Sequence, residues 1–115
     1  MVHLPEQAQE LRIFISESDA KNGKLLYEQI VLKARKLNMA SATVVRGIMS
    51  FGANGHIRVA KLLRPSKDLS IIIEIVDTPK NIDKLLPFLD EHLKEGLITL
   101  KDVYVTKYRR SQMAK

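Results

Sequence analysis

The chain has 115 residues, 45% of them hydrophobic and 28% charged, with a net charge of +6 and no cysteine. That length fits one domain, here 1–115, with a core that needs no staples, and the missing cysteine excludes disulfides, thiolate metal sites and cysteine nucleophiles. The start MVHLPEQAQELR lacks a signal-peptide core and no apolar run approaches the roughly 20 residues that cross a bilayer, so a soluble, cytoplasmic protein is expected.

Leu11, Ile13 and Ile15 alternate with Arg12, Phe14 and Ser16, the period-two pattern of a strand. Apolar Leu26, Ile30, Ala34 and Leu37 then recur at helical spacing, which predicts a helix over 23–38 capped by Asn22 and ended by Asn38. A second strand is expected over about 42–50, and Leu69, Ile71, Ile73 and Ile75 mark a third. Thr78 and Pro79 open a second helix that buries Ile82, Leu85, Leu86, Leu89 and Leu93. Pro87 should kink or divide it, and Gly96 suits a left-handed close. A last strand is expected at about 100–107, with residues 1–9 and 108–115 as flexible ends.

Strand, helix, strand, strand, helix, strand is the α+β ferredoxin-like order βαββαβ, a four-stranded antiparallel sheet with two helices on one face. If Leu11, Ile13, Ile71, Val103 and Val105 face the helices, the other face carries Phe14, Ile72 or Ile73, Tyr104 and Tyr108. Monomers rarely keep so large an apolar patch exposed, so Phe14 and Tyr104 are expected in a homo-oligomer interface. The competing reading keeps this face wet through Arg12, Ser16, Glu74 and Thr106.

Charge is unevenly spread, because residues 29–67 hold eight Lys or Arg and no Asp or Glu. Water, an anion or an acidic partner has to offset such a run. For Lys33, Arg35 and Lys36, on a predicted helix, a solvated face is enough. The stretch VVRGIMSFGANGHIR at 44–58 is different, since a strand gives way to glycines at 47, 52 and 55 and then to Arg58, Lys61, Arg64 and Lys67 at three-residue intervals. Gly52, Asn54 and Gly55 read as a loop, and Pro65 and Ser66 mark its return. Val59, Ala60, Leu62 and Leu63 read as strand extension or a partner-facing patch.

That stretch resembles the second strand and loop entry of the PII-like proteins, relatives of the nitrogen regulators. Together with IFISESD at 13–19, YEQIV at 27–31, IIEIVDTP at 72–79 and EGLITLKDVYV at 95–105, it is similar to the signature blocks of a small bacterial and archaeal family of that superfamily, one of unknown function. The resemblance covers most of residues 10–105. It implies a trimer with sheets facing inward, an adenine nucleotide or other small anion in clefts between subunits, and a mobile loop that signals to a partner. Gene neighbourhoods in the family make a membrane transporter or channel the implied partner. Arg46, Gly47, Phe51 and Gly52, with His56 and Arg58 beside them, would then bind ligand. Glycine lets backbone approach closely or take positive φ, and arginine grips phosphate in a fork. Asn54, Gly55, Lys61, Arg64 and Lys67 would face the partner. The nitrogen regulators carry a second glycine-rich phosphate loop, whereas TPKNIDKLLPFLDEHLKEGLITLKD has one glycine. A ligand with fewer phosphates than a triphosphate, or another anion, fits better.

Other chemistries have thinner support. His3, His56 and His92 are scattered and no nucleophile or phosphate-loop motif occurs, so an enzyme is not expected. Glu17, Asp19, Glu74 and Asp77 suit loop caps and ion pairs better than Mg²⁺. A divalent-metal-binding trimer like the cation-tolerance proteins is a minor alternative. Nucleic-acid binding through residues 46–67 is the other, favoured by a pI near 9.7. Against it, Phe14, Tyr104 and Tyr108 lack the basic-aromatic signature of sheet-type RNA binders, so nucleic acid is not the expected partner.

Overall fold

The computed structural model describes residues 7–61 and 68–109. Strand β1 spans Gln7–Ser16, a hairpin of β2 (Ala20–Lys21) and β3 (Lys24–Leu25) follows, and helix α1 spans Leu26–Lys36. Then come β4 (Thr43–Arg46), β5 (Met49–Ser50) and β6 (Arg58–Val59). Strand β7 (Ser70–Asp77), helix α2 (Pro79–His92) and β8 (Leu97–Tyr104) complete the elements of the described residues. The main sheet has the order β4-β7-β1-β8 with every neighbouring pair antiparallel, the ferredoxin-like arrangement the alternating patterns predict.

Its core follows from those patterns. Leu11, Ile13 and Ile15 of β1 pair with Ile75, Ile73 and Ile71 of β7. All six are buried against Leu26, Ile30 and Ala34 of α1 and Ile82, Leu85 and Leu89 of α2. Helix α1 ends where expected. Asn38 takes a φ of 58°, its N–H donates to Arg35 O at 3.0 Å, and the Met39 N–H donates to Ala34 O at 3.1 Å, the paired bonds of a left-handed closing turn. Helix α2 starts as expected, with Thr78 Oγ1 accepting from the Asn81 N–H at 3.1 Å and Pro79 in the first turn. Beside this cap the fully buried Asp77 accepts from the Thr78 N–H at 2.6 Å, the Ala40 N–H at 2.7 Å and Asn81 Nδ2 at 3.0 Å. One carboxylate thus joins the start of α2 to the link between α1 and β4.

Several expectations change. Asn22 does not cap α1, because it and Gly23 both have positive φ, 57° and 77°, as the centre of the β2–β3 hairpin. Asn-Gly is a preferred two-residue hairpin turn, and it outcompetes the cap. Pro87 does not divide α2. It lies on the exposed face with Asp83, so the carbonyl left without a donor can turn to water. Gly96 does not close the helix, which ends at His92. It has a φ of 140°, and a Cβ there would stand 2.7 Å from Phe14 O. The last strand is Leu97–Tyr104 rather than 100–107. The second strand leaves the main sheet after Arg46. At the ends, β1 begins at Gln7 and the Tyr108 hydroxyl donates to Ala40 O at 2.6 Å, both within the stretches 1–9 and 108–115 expected as flexible ends. Residues 1–6 and 110–115 lie outside the described part.

Candidate functional site

Residues directly opposite in antiparallel strands share a face, so register defines the side of the sheet away from the helices. Val45, Ile72, Phe14 and Leu97 form one apolar row across all four strands. Next to it runs Thr43, Glu74, Arg12 and Thr99, where Arg12 Nε lies 3.0 Å from Glu74 Oε2 and 3.1 Å from Glu10 Oε1. The open face is therefore apolar at one end and ion-paired at the other. Phe14 sits on it as expected. Tyr104 does not, since it pairs with Gln7, whose side of β1 is that of Leu11 and Ile13. Val103, expected to face the helices, pairs with Ala8 on the open side. The register of β8 against β1, which the alternation within β8 does not specify, sets these faces.

Strands β5 and β6 form a separate hairpin beyond the apolar row, with Met49 opposite Val59 and Ser50 opposite Arg58. The basic loop is thus an ordered ribbon at its base rather than an irregular loop throughout. Gly47 still bonds the main sheet through its N–H to Ser70 O at 2.8 Å, and the Ala60 N–H donates to Ile48 O at 2.8 Å. At the tip the Gly55 N–H donates to Gly52 O at 2.9 Å and Asn54 Oδ1 accepts from the His56 N–H at 3.0 Å. Gly55 alone of the three loop glycines has positive φ, 76°. Ile48 and Phe51 are 76% and 73% exposed.

An open cavity of roughly 1180 Å³ lies between this hairpin and the apolar row. Its apolar wall includes Phe14, Ile72 and Leu97 from the sheet and Met49, Phe51 and Ile57 from the hairpin. Its polar end is built by Ser16, Ser18, Arg58 and Asp68. The Ser18 hydroxyl donates to Asp68 Oδ1 at 2.7 Å, the Ser16 hydroxyl donates to the same oxygen, and Arg58 Nε lies 3.6 Å from Asp68 Oδ2. The Ser16 hydroxyl above all, then the Ser18 hydroxyl, hold the Asp68 carboxyl below the usual aspartate range against the opposing effect of burial, and the Arg58 charge is a smaller contribution in the same direction as the hydroxyls.

Of the residues marked out as ligand-binding, Gly47, Phe51, Gly52 and Arg58 line this cavity, as does Asn54 from the partner-facing set. Arg46 is ion-paired with Glu17, and neither it nor His56, Gly55 or Lys61 is among the lining residues. Arg64 and Lys67 lie outside the described residues, as do Leu62, Leu63, Pro65 and Ser66. The described lining residues include one cation, Arg58, and three carboxylates, Asp19, Asp68 and Glu95, so the cavity is less basic than the segment that roofs it. The sequence reasoning missed Ser16, Ser18 and Asp68 as site residues. The Ser-x-Ser at the end of β1 was a usable signal, but its meeting with Asp68, 50 positions beyond Ser18, is a tertiary fact. The four acidic residues weighed for Mg²⁺ are otherwise engaged: Glu17 with Arg46, Glu74 with Arg12, Asp77 at the α2 cap, and Asp19 Oδ2 with the Ser16 N–H at 3.0 Å. Among the described residues no three His, Cys, Asp or Glu are grouped to hold a metal, and no helix is long and apolar enough to cross a membrane.

Comparison with known proteins places this geometry. The model of the family DUF190, described as "Uncharacterized ACR, COG1993", matches residues 8–105. The UPF0166 protein MJ1524 of Methanocaldococcus jannaschii is 36% identical over 102 residues, covering 88% of this chain and 94% of that protein. A UPF0166 protein of Aquifex aeolicus is 37% identical over 98 residues, covering 83% and 90%. Among solved structures, CPII of Thiomonas intermedia K12, a nitrogen regulatory PII-like protein bound to ADP, AMP and bicarbonate, superposes with a TM-score of 0.63 at 18% identity, covering 88% of this chain and 90% of its own. The chain therefore belongs to the DUF190 (UPF0166) family and carries the PII-like ferredoxin-like fold.

Proposed function

We propose that this protein is a cytoplasmic PII-like regulator whose cavity beneath the β5–β6 hairpin takes a small anionic effector, an adenine nucleotide being the first to try. The hairpin passes its occupancy to a partner such as a membrane transporter or channel. The observation that carries the reading is the cavity's division into an apolar wall, with Phe14 and Phe51 available to a flat base, and a polar end where the Ser16 and Ser18 hydroxyls and the Arg58 guanidinium already hold one anionic group, the Asp68 carboxylate. CPII, of the same fold, is described with ADP and AMP bound. A volume of roughly 1180 Å³ exceeds the usual range of closed ligand pockets, about 300–1,000 Å³, which fits a cleft completed by a second subunit. The apolar row Val45, Ile72, Phe14 and Leu97 offers the surface for such a homotrimer. For ligand to signal, it has to bind one hairpin arrangement better than another.

Calorimetry and thermal-shift measurements with ADP and AMP test this. Saturable binding is expected, with a midpoint rise that grows with ligand concentration, and Arg58→Ala should weaken it about tenfold or more, as the loss of a charge-assisted bond does. No heat and no stabilisation with either nucleotide would refute the reading.

A further inference from the structure

We infer that Ser16, Ser18 and Arg58 form a subsite for a phosphate group, and that the carboxylate of Asp68 is its internal competitor. This deepens the anion-binding reading above and rests on it for the ligand class. The two hydroxyls stand 3.3 Å apart and both donate to one oxygen of Asp68, while Arg58 addresses the other oxygen. Three donors from two separate elements, the end of β1 and strand β6, thus converge on a single carboxylate at the polar end of the cavity.

A phosphate oxygen is the same kind of acceptor as a carboxylate oxygen, and guanidinium pairs with either. The carboxylate is half exposed, its side chain 51% accessible, so it can swing out without opening the core. With Asp68 in place a ligand's phosphate meets that carboxylate beside Arg58, in a cavity that Asp19 and Glu95 also line. With Asp68 displaced, the hydroxyls and the guanidinium are freed and one of the three lining carboxylates withdraws. Asp68 immediately precedes Leu69, whose N–H faces Glu17 Oε1 at 3.5 Å and whose O accepts from the Glu17 N–H at 2.7 Å. Exchange of the carboxylate for a ligand phosphate would therefore break the Arg58–Asp68 tie between hairpin and sheet, while this backbone anchor stays. A purely structural tie needs no such placement at the polar end of a cavity.

Asp68→Asn keeps the shape and removes the charge. Binding of inorganic phosphate, AMP and adenosine is measured by calorimetry at fixed ionic strength on the wild type, on Asp68→Asn, and on the Ser16→Ala/Ser18→Ala double variant, with circular dichroism confirming the fold of each. Asp68→Asn should bind AMP about tenfold tighter than the wild type and the serine double variant about tenfold weaker, with adenosine unchanged in both, the scale of one or two charge-assisted bonds. A parallel response to inorganic phosphate identifies free phosphate as a sufficient occupant, and a response to AMP alone identifies a nucleotide phosphate. Equal affinities in all three proteins for both phosphate and AMP overturn the inference, even if the wild type binds nucleotide and the regulatory reading stands. Conversely, phosphate binding gained by Asp68→Asn and absent from a wild type that ignores ADP and AMP sustains the subsite and refutes the nucleotide reading.

Discussion

The two faces of one sheet divide this molecule. On the helix side Leu11, Ile13, Ile73 and Ile75 have no exposed surface, and every neighbour they touch is supplied by the same chain. On the other side the row from Val45 to Leu97 ends with both terminal residues exposed, at 41% and 55%, and the adjoining row satisfies its charges by pairing Arg12 with Glu10 and Glu74. Both faces use the same strands and the same β-branched residues, so composition alone does not separate core from site. The difference lies in what covers each face. Two helices close one, and among the described residues a short hairpin overhangs the other, leaving a cavity where ligand or a second subunit can complete the surface.

Truncations at neighbouring positions sharpen the contrast. Ile13→Ala should cost about 3 to 4 kcal/mol in denaturant unfolding, as removal of a fully buried side chain does. If it costs no more than a surface change, the helix-side face is not the core. Gly96→Ala, at the seam between the faces, should cost about 2 to 3 kcal/mol, because the new methyl has to sit at positive φ against Phe14 O. Phe14→Ala, one position from Ile13 on the half-covered face, should cost about 1 kcal/mol in the same assay. Its larger effect should appear in sedimentation, as weaker self-association. Unchanged association would remove this row from the proposed subunit interface. Thr78→Ala should lose about 1 kcal/mol on the helix side through its cap.

The smallest expected effect belongs to Asp68. Its carboxyl is held below the ordinary range by Ser16 and Ser18, so its tie to the serines is present at neutral and mildly acidic pH. The tie is lost only as pH falls through that depressed value. A carboxyl-carbon NMR titration of Asp68 should show this, and the step should move up toward the usual aspartate range in the Ser16→Ala/Ser18→Ala variant.

How much was legible in the sequence varied by element. Strands β1 and β7 and helix α2 were readable because burial on one side imposes a period of two or 3.6 on the residues themselves. The β2–β3 hairpin was carried by Asn22-Gly23, a turn signal that also resembles a helix cap, and only the pairing of Lys21 with Lys24 decides between them. Strand β8 was misplaced by three residues because Leu97 to Tyr104 is exposed along most of its length, and an edge strand with little burial carries little periodicity.

The sequence by itself determined the fold class and the family, because alternating apolar residues, a capped helix and long signature blocks are local in the chain. It also determined that the basic charge is concentrated before Asp68. The tertiary structure alone decided that Arg46 is tied to Glu17, that Tyr104 leaves the open face, and that Ser16, Ser18, Arg58 and Asp68 meet at one end of a cavity. Those are contacts between residues tens of positions apart, fixed by strand register and chain crossing, and no local pattern encodes them.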